Sequence, residues 1–118
     1  MDQICLVVPI EPGKSDVARD FMRELESRKD EYDRSERRIG ITKEAWFLAS
    51  GPSGDQLVGY MESGNFQSAL EQFVASQDSF DLWFKQRFAD ATGVDLNNPP
   101  EMSLPELLSS YEAGVAVG

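Results

Sequence analysis

The segment from residue 42 to residue 62 constrains the fold more than any other part of the sequence. Two apolar-rich runs, TKEAWFLAS and DQLVGYME, flank the turn-forming residues Gly51, Pro52, Ser53 and Gly54. Glycine tolerates positive φ, proline fixes φ, and serine bonds to nearby backbone, so these residues favour a tight reversal of the chain. The pattern predicts a β-hairpin in the middle of a sheet, on which the flanking segments fold.

The chain before the hairpin predicts one strand and one helix. Residues 3–10 carry apolar side chains toward both faces, and Pro12 with Gly13 ends the run, which predicts a first strand covered on both sides. Residues 15–37 carry apolar side chains at helical spacing, with Ser15 in position to cap the first turn. They predict one long amphipathic helix.

The chain after the hairpin predicts two helices and a last strand. Apolar residues recur at helical spacing over residues 66–74 and 79–91, and Asn65 and Ser79 stand where N-caps are expected. Residues 104–111 are apolar-rich and begin near a proline, which predicts a fourth strand at an edge of the sheet.

The predicted order is β-α-β-β-α-β, the ferredoxin-like arrangement of an α+β fold. Right-handed crossovers place both helical regions on one face of a four-stranded antiparallel sheet. A chain of 118 residues has room for one core, so we expect a single domain over residues 1–113 and a flexible C-terminal tail over residues 114–118. Because the strands carry apolar residues toward both faces, the uncovered sheet face predicts a homodimer.

Charge and cysteine content limit the partners and the compartment. Eleven basic and twenty-one acidic residues give a formal net charge of −10, which repels nucleic acid and anionic lipid. No apolar run approaches the roughly 20 residues that cross a bilayer. The N-terminus has no signal-peptide pattern, and a single cysteine, Cys5, allows no internal disulfide. We expect a cytoplasmic protein that binds neither nucleic acid nor membrane.

The sequence contains no histidine. Ser-His-Asp and Cys-His arrangements, HExxH zinc sites and haem held by histidine are therefore excluded. No Walker or dinucleotide-binding fingerprint is present either. We expect no cofactor and no metal, and we expect acid–base chemistry to fall to carboxylates and tyrosine.

Five residues are the candidates for a functional site. Glu44 shares a strand face with Trp46, and desolvation by an aromatic neighbour would raise the pKa of its carboxyl, so Glu44 is the candidate base. Tyr60, in the other strand of the hairpin, is the second candidate catalytic residue. Trp46 and Trp83 would line an apolar pocket, and Arg28 would pair with a ligand carboxylate or enolate. Taken singly, such carboxylates are more often solvent-exposed and such aromatics more often belong to the core.

Short motifs are spread over nearly the whole chain: Pro12-Gly13-Lys14, residues 28–31, Glu44-Ala45-Trp46-Phe47, Tyr60-Met61-Glu62, Gly93-Val94-Asp95-Leu96, Pro99-Pro100 and Leu104-Pro105-Glu106-Leu107-Leu108. This succession resembles a family of small uncharacterised bacterial proteins in the dimeric α/β-barrel superfamily. More distantly, it is similar to antibiotic-biosynthesis monooxygenases and small polyketide cyclases. The resemblance implies a ferredoxin-like fold, a dimer, and a cleft between sheet and helices that commonly works without metal or flavin. Haem degradation is not implied, because those members of the superfamily use a histidine.

Two functions are consistent with these expectations. The first is a homodimeric enzyme that binds a small apolar or aromatic molecule and catalyses its cofactor-independent oxygenation, cyclisation or isomerisation. The second is a non-catalytic dimeric module that binds a small molecule or a protein. An open cleft containing Trp46 and a buried carboxylate would favour the enzyme, and a fully packed interface between helices and sheet would favour the binding module.

Overall fold

The computed structural model describes residues 1–101 and 103–114. Four helices and a three-stranded antiparallel sheet make up an α+β fold. In chain order the elements are β1 (Asp2–Pro9), α1 (Ser15–Ser27), α2 (Lys29–Ile39), β2 (Ile41–Gly51), β3 (Gly54–Ser63), α3 (Phe66–Ala75) and α4 (Ser79–Thr92). A search of the described residues for a helix of membrane-spanning length and hydropathy finds none.

The predicted hairpin is formed by β2 and β3, and β1 pairs with the other side of β3. The strand order is therefore β1-β3-β2, and within the described residues the outer edges of β1 and β2 are unpaired. Gly54 closes the hairpin turn with a φ of 115°, a conformation that favours glycine. The register places Leu6, Gly59 and Trp46 side by side across the three strands.

One face of the sheet packs against the helices and carries the core. Val8 and Leu57 of the sheet belong to one buried cluster with Phe21 of α1 and with Phe84 and Phe88 of α4. The rings of Phe21 and Phe84 meet edge to face with their centroids 5.0 Å apart. Such aromatic pairs add to the free energy gained by burying apolar surface, so they hold α1 and α4 together on the sheet.

The single long helix predicted over residues 15–37 is two helices in the structure. Arg28 separates them, with φ of −106° and ψ of 35°. A continuous straight helix over residues 15–37 rises by about 1.5 Å per residue, so its second half would run past the end of the sheet. With the break, α1 packs mainly on α4, whereas α2 turns to contact β2, α3 and α4.

One predicted helix cap is confirmed and two are displaced by one residue. Asn65 caps α3 and accepts a hydrogen bond of 3.1 Å from a backbone N–H in its first turn. Asp78, rather than Ser79, caps α4 in the same manner. Ser15 is the first residue of α1, after Lys14, which makes no side-chain cap bond. These shifts do not change the position of any helix in the fold.

The strand predicted over residues 104–111 is not formed in the single chain. Among the described residues after Thr92 there is no helix or strand, so the sheet has three strands and not four. Residues 103–114, here called the C-terminal arm, are exposed throughout, and Leu108 and Tyr111 are 85% and 90% exposed. Pro105 removes a backbone donor, and a strand needs a partner edge that the arm does not reach. The tail predicted over residues 114–118 lies, apart from Gly114, outside the described residues.

Candidate functional site

A cavity of about 190 Å³ lies between the inner face of the sheet and helices α2, α3 and α4. Pro99, Pro100 and Leu104, from the segment that follows α4, complete its wall. All of the described lining residues are apolar or aromatic except two, Glu36 and Glu44, and none is a lysine or arginine. The cavity is thus an apolar space with two carboxyl groups in its wall.

Trp46 reaches this cavity because the residue opposite it is glycine. A Cβ atom on Gly59 would lie only 2.6 Å from Cζ3 of the Trp46 ring, so no larger residue fits there without moving the indole. The indole packs near Phe84 and Phe88, with ring centroids 6.2 and 6.1 Å away. Its Nε1 donates a hydrogen bond of 3.0 Å to Oε2 of Glu44, two residues earlier on the same strand face.

Glu44 lies at the centre of a group of hydrogen-bond donors. Besides the Trp46 N–H, the Tyr32 hydroxyl from α2 donates to Oε2 of Glu44. Burial raises the pKa of the Glu44 carboxyl, and hydrogen bonds from Tyr32, Trp46 and Glu36 oppose that rise. Burial, followed by the charge of Glu44, raises the pKa of Tyr32, so its hydroxyl stays protonated and donates.

Glu36 lies one helical turn beyond Tyr32 and faces the same carboxylate. Its Oε2 is buried and has no hydrogen-bond partner among the described residues. Burial first, and then the neighbouring Glu44 carboxylate, raise the pKa of Glu36 to about 9. Two adjacent carboxyls in an apolar setting do not both ionise near neutral pH, so the pair holds one proton. Glu36 carries that proton and donates it toward Glu44.

A buried polar cluster fixes α2 beside the cavity. Asp81 of α4 is fully buried and accepts hydrogen bonds from Ser35 and Arg38 of α2 and from Ser76 after α3. The buried Lys85 ammonium donates to three backbone carbonyls at the end of α3, at 3.0 to 3.2 Å. Buried polar groups that are satisfied in this way rigidify their surroundings. The cluster therefore fixes the helix that presents Tyr32 and Glu36.

The structure brings together two of the five residues predicted from the sequence. Glu44 and Trp46 both line the cavity. Tyr60 lies on the opposite face of the sheet, because it pairs with Ala45, the residue between them. There Tyr60 donates a hydrogen bond of 2.7 Å to Glu62, and this bond raises the pKa of the phenol. Tyr60 and Glu44 therefore do not share one site.

Arg28 and Trp83 meet each other outside the cavity. The Arg28 guanidinium lies 4.4 Å from the centroid of the Trp83 ring, and it bonds to Glu24 at 3.1 Å. Trp83 also packs edge to face on Phe21, with centroids 5.6 Å apart. Neither residue lines the cavity, so the structure does not place them with Glu44 and Trp46.

Sequence reasoning did not select Tyr32 or Glu36 as site residues. The available signal was their spacing of four residues, which puts both side chains on one helix face. The bend at Arg28 turns that face toward Glu44, and the sequence pattern did not predict the bend. The described residues contain no group of three or more histidine, cysteine or acidic side chains placed to hold a metal ion. Carboxyl groups in an apolar wall are of the type that can take up and release protons in general acid–base chemistry.

Comparison with known proteins gives a family but no activity. A search of curated proteins and a search of solved structures each found no match to this chain. A family model matches residues 1–106, a range that includes every described residue in the wall of the cavity and ends within the C-terminal arm. The chain therefore belongs to DUF6176, a family of unknown function.

Proposed function

We propose that the protein is a homodimer that binds a small apolar or aromatic molecule in the cavity and acts on it as a cofactor-independent enzyme. The observation that carries the proposal is the Glu44 carboxylate, with Glu36 beside it, in the wall of a cavity whose other lining residues are apolar or aromatic. A carboxylate removed from water is a stronger base, and an apolar cavity can hold a substrate against it.

Glu44 is the proposed general base. Removing a proton from a carbon next to a carbonyl gives an enolate, and this step can begin an isomerisation, a cyclisation or an oxygenation. The Tyr32 hydroxyl and the Trp46 N–H both donate to Glu44, so they hold its carboxylate in place and favour its ionised form, the form that a base requires. Tyr60 has no part in this mechanism, because it lies on the other face of the sheet.

Between the two functions considered, the cavity favours the enzyme. A non-catalytic module would be supported by a fully packed interface between helices and sheet, whereas this interface has an apolar cavity of about 190 Å³. The cavity also contains Trp46 beside a carboxyl whose pKa burial raises. An ordinary surface carboxylate would show neither feature.

Exchange of the α-hydrogens of cyclohexanone in D2O, followed by NMR, tests this proposal. The ketone is small, neutral and mostly apolar, and exchange requires only proton removal and return. We expect the protein to accelerate exchange and Glu44→Gln to lose about 100-fold or more of that acceleration, the usual contribution of a general base. Asp30→Asn, an exposed change on α2, is the matched control and should keep the acceleration. Cyclohexanone binding without exchange would support the binding module, and neither binding nor exchange would refute the proposal.

The homodimer is proposed from the outer face of the sheet. Val7, Val58 and Phe47 form one row across the three strands on that face, next to the row that contains Cys5 and Tyr60. Val7 and Phe47 are 38% and 60% exposed in the single chain. Apolar rows on a sheet favour burial against another apolar surface, and the same face of a second copy supplies one.

The C-terminal arm supports the same proposal. Leu107, Leu108 and Tyr111 are exposed there, although their type favours burial. We propose that in the homodimer residues 104–111 pair with the free edge of β1. This pairing would complete the four-stranded ferredoxin-like βαββαβ sheet of a dimeric α/β barrel.

Light scattering at micromolar concentration tests the dimer. We expect a dimer for the unaltered chain and a monomer for Phe47→Asp, since a carboxylate would then stand in the apolar interface. Ser53→Asp, at the exposed tip of the hairpin, should remain dimeric. A monomer without any substitution would refute the homodimer and leave the cavity proposal untouched.

A further inference from the structure

Glu36 and Glu44 are neighbouring carboxyl groups in the wall of the cavity, and together they narrow the class of reaction that the site could catalyse. We infer that Glu36 is a second catalytic residue and that the pair isomerises a small neutral β,γ-unsaturated carbonyl compound to its conjugated isomer. The inference rests on the proposed binding of a substrate in this cavity.

The position of Glu36 is the first support. Both carboxyls line the same cavity, one from α2 and the other from β2. Oε2 of Glu36 is buried and lacks a hydrogen-bond partner among the described residues, whereas Oε2 of Glu44 accepts two bonds, from Tyr32 and Trp46. A buried carboxyl oxygen without a partner costs less free energy when the group is protonated and neutral than when it is ionised, and a ligand can supply the missing partner. Without a ligand the Glu36 proton is directed toward Glu44, and a molecule bound in the cavity beside both carboxyls would be the alternative acceptor of that proton.

The two groups have the complementary protonation states that an isomerisation needs. Glu44, as carboxylate, takes a proton from the carbon between the carbonyl and the double bond, which gives a dienolate. Glu36, as carboxylic acid, gives its proton to the far carbon of that dienolate, and the double bond moves into conjugation. The proton now on Glu44 then passes to the Glu36 carboxylate. Each atom and electron pair is accounted for within the pair and the substrate, so the step uses no oxidant, reductant or second substrate.

The electrostatics of the cavity select a neutral substrate. Tyr32 from α2 and Asp81 from α4 are the titratable neighbours of the pair on the cavity side, and Asp81 is already bonded to Arg38. On the other side of the pair, an open pocket is lined by the charged residues Lys29, Asp30, Asp33, Arg37 and Lys43. No lysine or arginine is among the described residues that line the cavity, so an anionic ligand would meet negative charge without compensation. Arg28, predicted to bind a ligand carboxylate, lies outside the cavity and is paired with Glu24. A carbonyl compound without charge avoids this cost.

The size of the cavity sets the scale of the substrate. An apolar cavity of about 150 Å³ can hold benzene. The present cavity, of about 190 Å³, therefore suits a single ring or a short branched chain. Cyclohex-3-en-1-one meets the requirements of size, neutrality and unsaturation, and its conversion to cyclohex-2-en-1-one is followed by ultraviolet absorbance.

The test compares two reactions in three proteins, the unaltered chain, Glu36→Gln and the control Asp30→Asn. The first reaction is isomerisation of cyclohex-3-en-1-one, and the second is exchange of cyclohexanone α-hydrogens in D2O. We expect Glu36→Gln to lose about 100-fold or more of the isomerisation. It should retain exchange within about threefold, since solvent can return the proton in that reaction. Asp30→Asn should retain both.

The pH dependence gives a second readout that does not rely on a variant. Isomerisation should fall as pH rises through the range in which Glu36 loses its proton, whereas cyclohexanone exchange should not fall there. Exchange without isomerisation by the unaltered chain would overturn the inference and leave the proposed base in place. Equal loss of both reactions in Glu36→Gln, with its fold retained by circular dichroism, would overturn it as well. Absence of both reactions from the unaltered chain would overturn the proposed function itself.

Discussion

Replacing Glu36 by glutamine should change how the stability of the protein depends on pH. The pKa of Glu36 rises from 4.5 to about 9 on folding, because of burial and the nearby Glu44 charge. Between these values the folded state holds a proton that the unfolded state has released. The free energy of unfolding therefore falls as pH rises from about 4.5, and it levels off above about 9.

The magnitude follows from the same linkage. At about 1.36 kcal/mol for each tenfold change in proton concentration, the full span would cost about 6 kcal/mol. Because the Glu36 side chain is only partly buried, solvent screens its charge and reduces this contribution, so we expect a loss of about 2–3 kcal/mol between pH 5 and pH 9. Glutamine keeps the shape and an N–H donor for Glu44 but cannot ionise. Glu36→Gln should match the unaltered protein at pH 5 and exceed it by about 2 kcal/mol at pH 9.

Urea denaturation at a series of pH values measures this difference. The protein concentration is held constant, because a dimer would add its own concentration dependence. Asp30→Asn is the control, since this exposed carboxylate should leave the pH profile within about 0.5 kcal/mol of the unaltered chain. Parallel profiles for Glu36→Gln and the unaltered chain would show that the buried pair does not hold a proton, and they would remove the acid from the proposed mechanism.

Three further substitutions test the packing. Phe21→Ala should cost about 3–5 kcal/mol of unfolding free energy in thermal or urea melts, because this side chain has no exposed surface; an unchanged midpoint would contradict its place in the core. Phe73→Ala, at a partly buried position in the cavity wall, should cost less unfolding free energy, about 2–3 kcal/mol. A larger loss than for Phe21→Ala would contradict the greater burial of Phe21. Gly59→Ala should displace the Trp46 indole and change its fluorescence, because the new Cβ would lie 2.6 Å from the ring; an unaltered spectrum would count against that contact.

The sheet was the most predictable part of the fold. The hairpin follows from local chemistry, since turn-forming residues stand between two runs of strand-forming residues. The alternation of strand side chains then places Glu44 and Trp46 on one face. Tyr60 shows the limit of this reasoning. The face of Tyr60 relative to Glu44 depends on the register between β2 and β3, and that register pairs Tyr60 with Ala45.

The fourth strand could not be judged from composition alone. Residues 104–111 have the apolar content of an edge strand, but a strand also requires backbone donors and acceptors on a neighbour. In the single chain the arm has no such neighbour, and Leu108 remains 85% exposed. The composition of the arm therefore favours a strand, while the single chain gives it no partner. In the proposed homodimer the arm pairs with the free edge of β1, which would supply the missing backbone donors and acceptors.

The place of Glu36 in the site could not be predicted from the sequence, and the reason differs from that for the fourth strand. In a continuous helix over residues 15–37, Glu36 belongs to a strongly charged stretch and would be expected in solvent. The break at Arg28 gives α2 its own direction, and the bonds of Ser35 and Arg38 to Asp81 then fix α2 against α4. Only this tertiary arrangement turns Tyr32 and Glu36 toward β2. The acid–base pair thus depends on a bend at Arg28 and on a buried polar cluster whose residues are far apart in the chain.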